Sequence, residues 1–121
     1  MTARKIADLA PDFVRIYPAV VLKGSPLAAW YARGLFTPLS LDAAVERTKR
    51  LYLFFRDKSI PVIRMGLQAS VELDSENTVL AGPYHPAFGH LVYEALFFDA
   101  VIRENGHWTQ RDCIDIRVHP R

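Results

Sequence analysis

Three basic side chains stand next to short apolar runs. Arg15 lies within Phe13-Val-Arg-Ile-Tyr17, Arg64 within Val62-Ile-Arg-Met-Gly-Leu67, and Lys23 follows Ala19-Val-Val-Leu22. A guanidinium or ammonium group at the mouth of a sheet binds a carboxylate or phosphate, and this is the chemistry Arg64 and Lys23 offer. The competing reading is an ordinary salt bridge to Asp or Glu, and both stay open at this level. Tyr17 and Gln68 close the two runs on the same side, where they either line a pocket or complete a hydrogen-bond network. Tyr84 and His85 sit in Gly82-Pro-Tyr-His-Pro86, a turn stiffened by two prolines. Such a turn can present a catalytic pair, and its commoner use is to set the angle of the helix that follows.

Other chemistries find no support. His85 and His90 are five residues apart, a poor match to the i,i+4 spacing of a shared metal. His107 and His119 fall in expected loops, so no zinc site is expected. The single cysteine, Cys113, cannot close an internal disulfide or supply a multi-cysteine metal site. It reads as a small buried or edge residue. The chain has neither a glycine-rich phosphate loop nor a Gly-x-Ser-x-Gly elbow.

The elements that must position these residues follow from the pattern. Thr2 to Leu9 predicts a short helix stopped by Pro11. Phe13 to Tyr17 and Val62 to Leu67 predict strands, and Pro61 suits a strand start. Ala19 to Leu22 either continues the first strand past a kink or lies as a buried loop. Ser25 and Pro26 open a two-turn helix, Leu27 to Arg33, that ends at Gly34. Ser40 caps the main helix, where Leu41, Ala44, Val45, Thr48, Leu51, Tyr52 and Phe55 form one stripe. Asp42, Glu46, Arg47, Lys49, Arg50 and Arg56 fall largely on the opposite side. Strand, helix and strand in that order predict a crossover unit with two parallel strands.

Gln68 to Ser75 predicts a loop with a helical turn. Ala87 to Arg103 predicts a helix apolar nearly all round, hence buried on most sides. Cys113 to His119 alternates as a half-buried strand.

With 121 residues, one core is the default. A net charge of +2 permits an anionic partner without demanding one. No apolar run approaches the ~20 residues of a membrane span. No signal-peptide pattern opens the chain, so the cytoplasm is the expected compartment. The basic run Arg47, Lys49, Arg50, Arg56 and Lys58 offers an alternative function: a non-catalytic module that meets RNA or an acidic protein.

Two segments carry a family resemblance. They are Pro11-Asp-Phe-Val-Arg-Ile-Tyr-Pro-Ala-Val-Val-Leu-Lys-Gly24, and Pro61-Val-Ile-Arg-Met-Gly-Leu-Gln68 taken with Gly82-Pro-Tyr-His-Pro-Ala-Phe88. Trp30 to Gly34 and Pro38 to Val45 fit as well. Over Pro11 to Ile102 the chain resembles the last part of the barrel in radical S-adenosylmethionine proteins similar to the Elongator catalytic subunit. Bacterial members of this group are often labelled oxygen-independent coproporphyrinogen oxidase-like. The resemblance implies an α/β fold: the terminal βαβ part of a partial (β/α) barrel, with a C-terminal helix and strand extension. Residues 1–68 would end the barrel and residues 69–121 would form the extension.

It also implies S-adenosylmethionine and a 4Fe-4S cluster in a full-length parent. Arg64, Tyr17 and Gln68 would face the cofactor, and Lys23, Tyr84 and His85 the substrate or an anion. The family's Cys-x3-Cys-x2-Cys motif is absent here. The chain therefore reads as a C-terminal piece of a larger enzyme, inert alone and holding no cofactor by itself. Its expected partners are the remainder of the barrel and RNA, with no membrane, and its bare strand edges predict self-association.

Overall fold

A computed structural model of the chain describes residues 2–74 and 78–104. In order these form α1 (Thr2–Asp8), β1 (Val14–Ile16), β2 (Val21–Leu22), α2 (Pro26–Ala32), α3 (Leu41–Asp57), β3 (Val62–Met65), α4 (Val71–Asp74), β4 (Val79–Ala81) and α5 (Phe88–Glu104). The strand expected over Cys113 to His119 lies outside the described residues. The architecture is mixed α/β.

β1 and β3 are hydrogen-bonded neighbours and run parallel, with Val14 opposite Val62, Arg15 opposite Arg64 and Ile16 opposite Met65. The register shifts between Val14 and Arg15. The pair is closed at its ends by Val14 N–H to the Pro61 carbonyl and Gly66 N–H to the Ile16 carbonyl, each 2.9 Å. Parallel neighbours need a crossover connection, and α2 and α3 lie within it.

α3 forms where its caps and stripe agree. The Ser40 hydroxyl accepts from Ala43 N–H at 3.2 Å, Asp42 sits in the first turn and Arg56 in the last. Charges so placed oppose the helix dipole favourably. Ala44, Thr48 and Phe55 of the stripe are buried. Ala44 joins Met65, Phe88 and Val92 in the core, with Leu41, Val45, Tyr52, Val62 and Leu96 packed around them. Helices α3 and α5 pack on each other and both touch β3. Elements on either side of residue 68 therefore share one core.

The open question over Ala19 to Leu22 resolves into a second sheet. Val21 is fully buried, and β2 pairs antiparallel with β4. β4 is a strand the sequence pattern did not announce, because three residues between a polar turn and Gly82 are too few to show a period. Gly82 adopts φ +108° and lies so close to Ala19 and Val20 that a Cβ would sit 3.1 Å from the Ala19 carbonyl oxygen and Val20 Cα. Only glycine takes that conformation readily.

α5 departs from expectation. Its composition predicts burial on most sides, yet only Phe88 and Val92 are fully enclosed. Phe97, Phe98 and Ile102 remain 51%, 64% and 49% exposed. One face meets α3 and β3, and nothing among the described residues covers the other. No helix among the described residues is long and apolar enough to cross a membrane.

Candidate functional site

The parallel pair has two unlike faces. Val14 and Ile16 are half-buried, and with Ile6, Leu51 and Phe55 they line a cleft of about 330 Å³ beside α1 and α3, whose wall Arg15 and Tyr17 also reach. Phe13, Arg15 and Tyr17 alternate with them and are exposed. Strand residues two apart share a face, so these three mark the solvent-exposed side of β1, with Arg15 and Tyr17 standing at the rim of the cleft. Arg64, exposed and in register with Arg15, joins them there, whereas Met65 turns into the core.

Gly66 ends β3 with φ +78°, and a Cβ there would lie 2.6 Å from Phe88 Cβ. The turn it permits brings the chain back so that Arg64 Nη1 donates to Gln68 Oε1 at 2.7 Å. Of the sequence-predicted residues, Arg64, Gln68 and Tyr17 thus gather at the C-terminal end of the parallel pair. Arg15 belongs with them. Both runs share the order apolar, basic, apolar, although the site residues expected from sequence do not include Arg15. That shared order was the signal for a register partner.

The remaining candidates sit elsewhere. Lys23 is exposed after β2, and its backbone N–H bonds the Thr78 carbonyl at 2.9 Å. His85 Nδ1 accepts from Ala87 N–H at 3.1 Å, and its carbonyl accepts from Phe88 N–H at 3.1 Å. Both bonds serve the first turn of α5. Tyr84 is half-buried in the same turn, with its N–H on the Gly82 carbonyl at 2.9 Å.

Of the basic run on α3, Lys49 is drawn into the fold, while Arg50, Arg56 and Lys58 stay exposed. Lys49 is buried rather than presented on the polar side. Its Nζ meets Asp99 Oδ2 and Glu46 Oε2, each at 2.6 Å. α5 brings Asp99 over that side of α3, which the stripe alone could not reveal. The bonds to Asp99 and then Glu46 raise the Lys49 ammonium pKa, and the Glu46 carboxyl is lowered by Lys49 and then Arg50. Arg50 Nε donates to Glu46 Oε1 at 2.9 Å, Arg56 lies 3.6 Å from Asp57, and Lys58 lies over the Phe54 ring at 5.4 Å.

A groove of about 440 Å³ runs between α3 and α5 past Tyr52, Arg56, Tyr93 and Phe97. Tyr52 and Tyr93 meet edge to face at 5.7 Å. Burial, and then Tyr52, push the Tyr93 phenol above its ordinary pKa.

Iron–sulfur ligation does not fit these residues. The sequence has one cysteine. Among the described residues no three His, Cys, Asp or Glu side chains are grouped to hold a metal. A four-iron cluster takes cysteine thiolates, so its ligands would have to come from outside this chain.

No curated protein and no solved structure gives a significant match to the chain. The family described as Radical_SAM C-terminal domain matches residues 11–97. That span runs from the turn before β1 into α5 and takes in the parallel pair, the α3 crossover and the Gly66 turn. The chain therefore belongs to the Radical_SAM C-terminal domain family.

Proposed function

We propose that this domain is the C-terminal part of a radical S-adenosylmethionine enzyme, in which β1 and β3 are the last parallel strands of a partial (β/α) barrel. The observation that carries the reading is the parallel β1–β3 pair within the family match. Its open face carries Tyr17, Arg64 and Gln68 at the strand C-termini, where parallel barrels present their reactive mouth. In the parent, those residues contact the cofactor, and Lys23, Tyr84 and His85 contribute to the substrate side. The cluster and S-adenosylmethionine supply the radical chemistry of the parent. This chain supplies one wall of the vessel, and alone it is inert.

The finer reading is RNA modification in the cytoplasm. Its support is the likeness of the Ile16-Tyr-Pro18 and Gly82-Pro-Tyr-His-Pro86 words to proteins similar to the Elongator catalytic subunit. The domain's immediate partner is then the remainder of the barrel. Without it, isolated chains associate through their uncovered apolar surface.

Anaerobic reconstitution with iron and sulfide tests the reading in two arms. The isolated chain is expected to form no stable four-iron chromophore. The same chain joined to a neighbouring reading frame that carries the three-cysteine motif is expected to form one and to cleave S-adenosylmethionine. A joined protein without cofactor cleavage overturns the assignment.

A further inference from the structure

Arg15 and Arg64 occupy opposite positions on hydrogen-bonded strands and are both exposed. Neighbouring strands lie about 4.8 Å apart, so two guanidinium stems leave the sheet side by side. Like charges so placed repel. A single solvated cation on a surface needs no explanation, but an in-register pair on a two-stranded sheet does. Among the described residues neither arginine has an ion-pair partner. By contrast, Lys49 and Arg50 share Glu46, and Asp99 also meets Lys49.

Arg64 is not a loose end. It is tethered to the neutral oxygen of Gln68 at 2.7 Å, which orients its planar fork without cancelling its charge. Four of its five N–H donors are left for a further acceptor. Gln68 also carries an amide NH2 and Tyr17 a hydroxyl, both donor groups on residues at the same strand ends. Phe13 and Tyr17, 51% and 45% exposed, lie two residues either side of Arg15 on its own face. That places them roughly 7 Å along the strand in each direction. The patch is thus rich in donors, has no carboxylate ion-paired to either arginine among the described residues, and is flanked by aromatic rings.

We infer that Arg15 and Arg64 together bind the oxyanion, carboxylate or phosphate, of a small molecule whose apolar or ring portion lies against Phe13 and Tyr17. Planar guanidinium forks match both anions in bidentate geometry. The bound anion would also cancel the repulsion between the strands. The inference rests on the reading that this face is turned toward ligand.

The test uses the whole 121-residue chain. Inorganic phosphate and acetate are titrated separately at ionic strength held constant with chloride, following the arginine side-chain N–H resonances by NMR. The expected result is a saturable shift at Arg15 and Arg64, with half-saturation on the order of millimolar. Arg15→Gln and Arg64→Gln each weaken binding at least tenfold, and Arg47→Gln leaves it unchanged. Tighter phosphate binding identifies a phosphoryl ligand and tighter acetate binding a carboxylate; either supports the site.

A second readout needs no ligand. In low-salt buffer without either anion, both Gln variants raise the urea midpoint, because they relieve repulsion. A lowered midpoint would mark the pair as structural and overturn the inference. So would the absence of saturation with both anions, or equal loss in Arg47→Gln. The isolated chain needs no cluster for this experiment, so its failure removes the oxyanion site and leaves the barrel assignment to the reconstitution test.

Discussion

Gly66→Ala is expected to be among the most damaging single-methyl additions in this fold, and its size can be worked from the turn itself. The backbone there has φ +78°, a conformation that costs an L side chain about 1–2 kcal/mol. The new Cβ would also stand 2.6 Å from Phe88 Cβ, 2.8 Å from Cδ1 and 2.9 Å from Cγ. Phe88 is 2% exposed and packed among Ala44, Met65 and Val92, so it cannot retreat freely. Forcing a methyl into a packed core costs roughly 1–3 kcal/mol more. The total of about 2–5 kcal/mol is a large share of the ~5–15 kcal/mol that holds a domain together.

Gly34→Ala supplies the control. Its φ is +70°, but nothing lies within 4 Å of the added Cβ, so it should lose only the conformational part. Both changes stiffen the unfolded chain alike, so that contribution cancels between them. Urea unfolding followed by circular dichroism, at a concentration where sedimentation shows monomer, measures both. Gly66→Ala should fall below Gly34→Ala by at least ~1 kcal/mol. Equal losses would refute the claim that Phe88 closes against the β3 turn.

Lys49→Met should lower stability only inside a pH window. The Lys49 pKa is raised above 10.5 in the fold, so its contribution is whole below that value and lost as pH climbs through the folded pKa. The Glu46 pKa is lowered below 4.5, so its share is present above that value and lost as pH falls through the folded pKa. The gap between wild type and variant in urea midpoint should be flat from about pH 5 to 10 and narrow on both sides; a gap independent of pH would remove the ion-pair account. Phe97→Glu with Phe98→Glu should shift sedimentation toward monomer while leaving the circular dichroism unchanged, since both rings are more than half exposed. Unchanged association would assign it to the strand edges instead. Phe88→Ala should cost about 3–5 kcal/mol, read by urea unfolding, and a loss under 1 kcal/mol would show that the core lies elsewhere.

Local chemistry was plain in the sequence wherever it acts within a few residues. Ser25 and Ser40 announce α2 and α3 because a hydroxyl cap satisfies N–H groups three residues on. The three- and four-residue steps of the α3 stripe name its buried face before any partner is known. The two short apolar runs with a central arginine predict strands, and the helix between them predicts that the strands run the same way. Lys49 shows the limit of this reading: its place on the helix marks it as polar, and its burial depends on Asp99 arriving from fifty residues away.

Periodicity and capping thus identified α2, α3, α5, β1 and β3, and which side of α3 turns inward. These properties depend on spacings of a few residues, which a chain carries openly. The tertiary structure alone decided that β2 leaves the first strand's sheet to pair with β4, and that α5 keeps one face bare. It also decided that Arg15 stands opposite Arg64. Each of these joins residues tens of positions apart through packing, and no local period encodes which distant surface will come to rest against another.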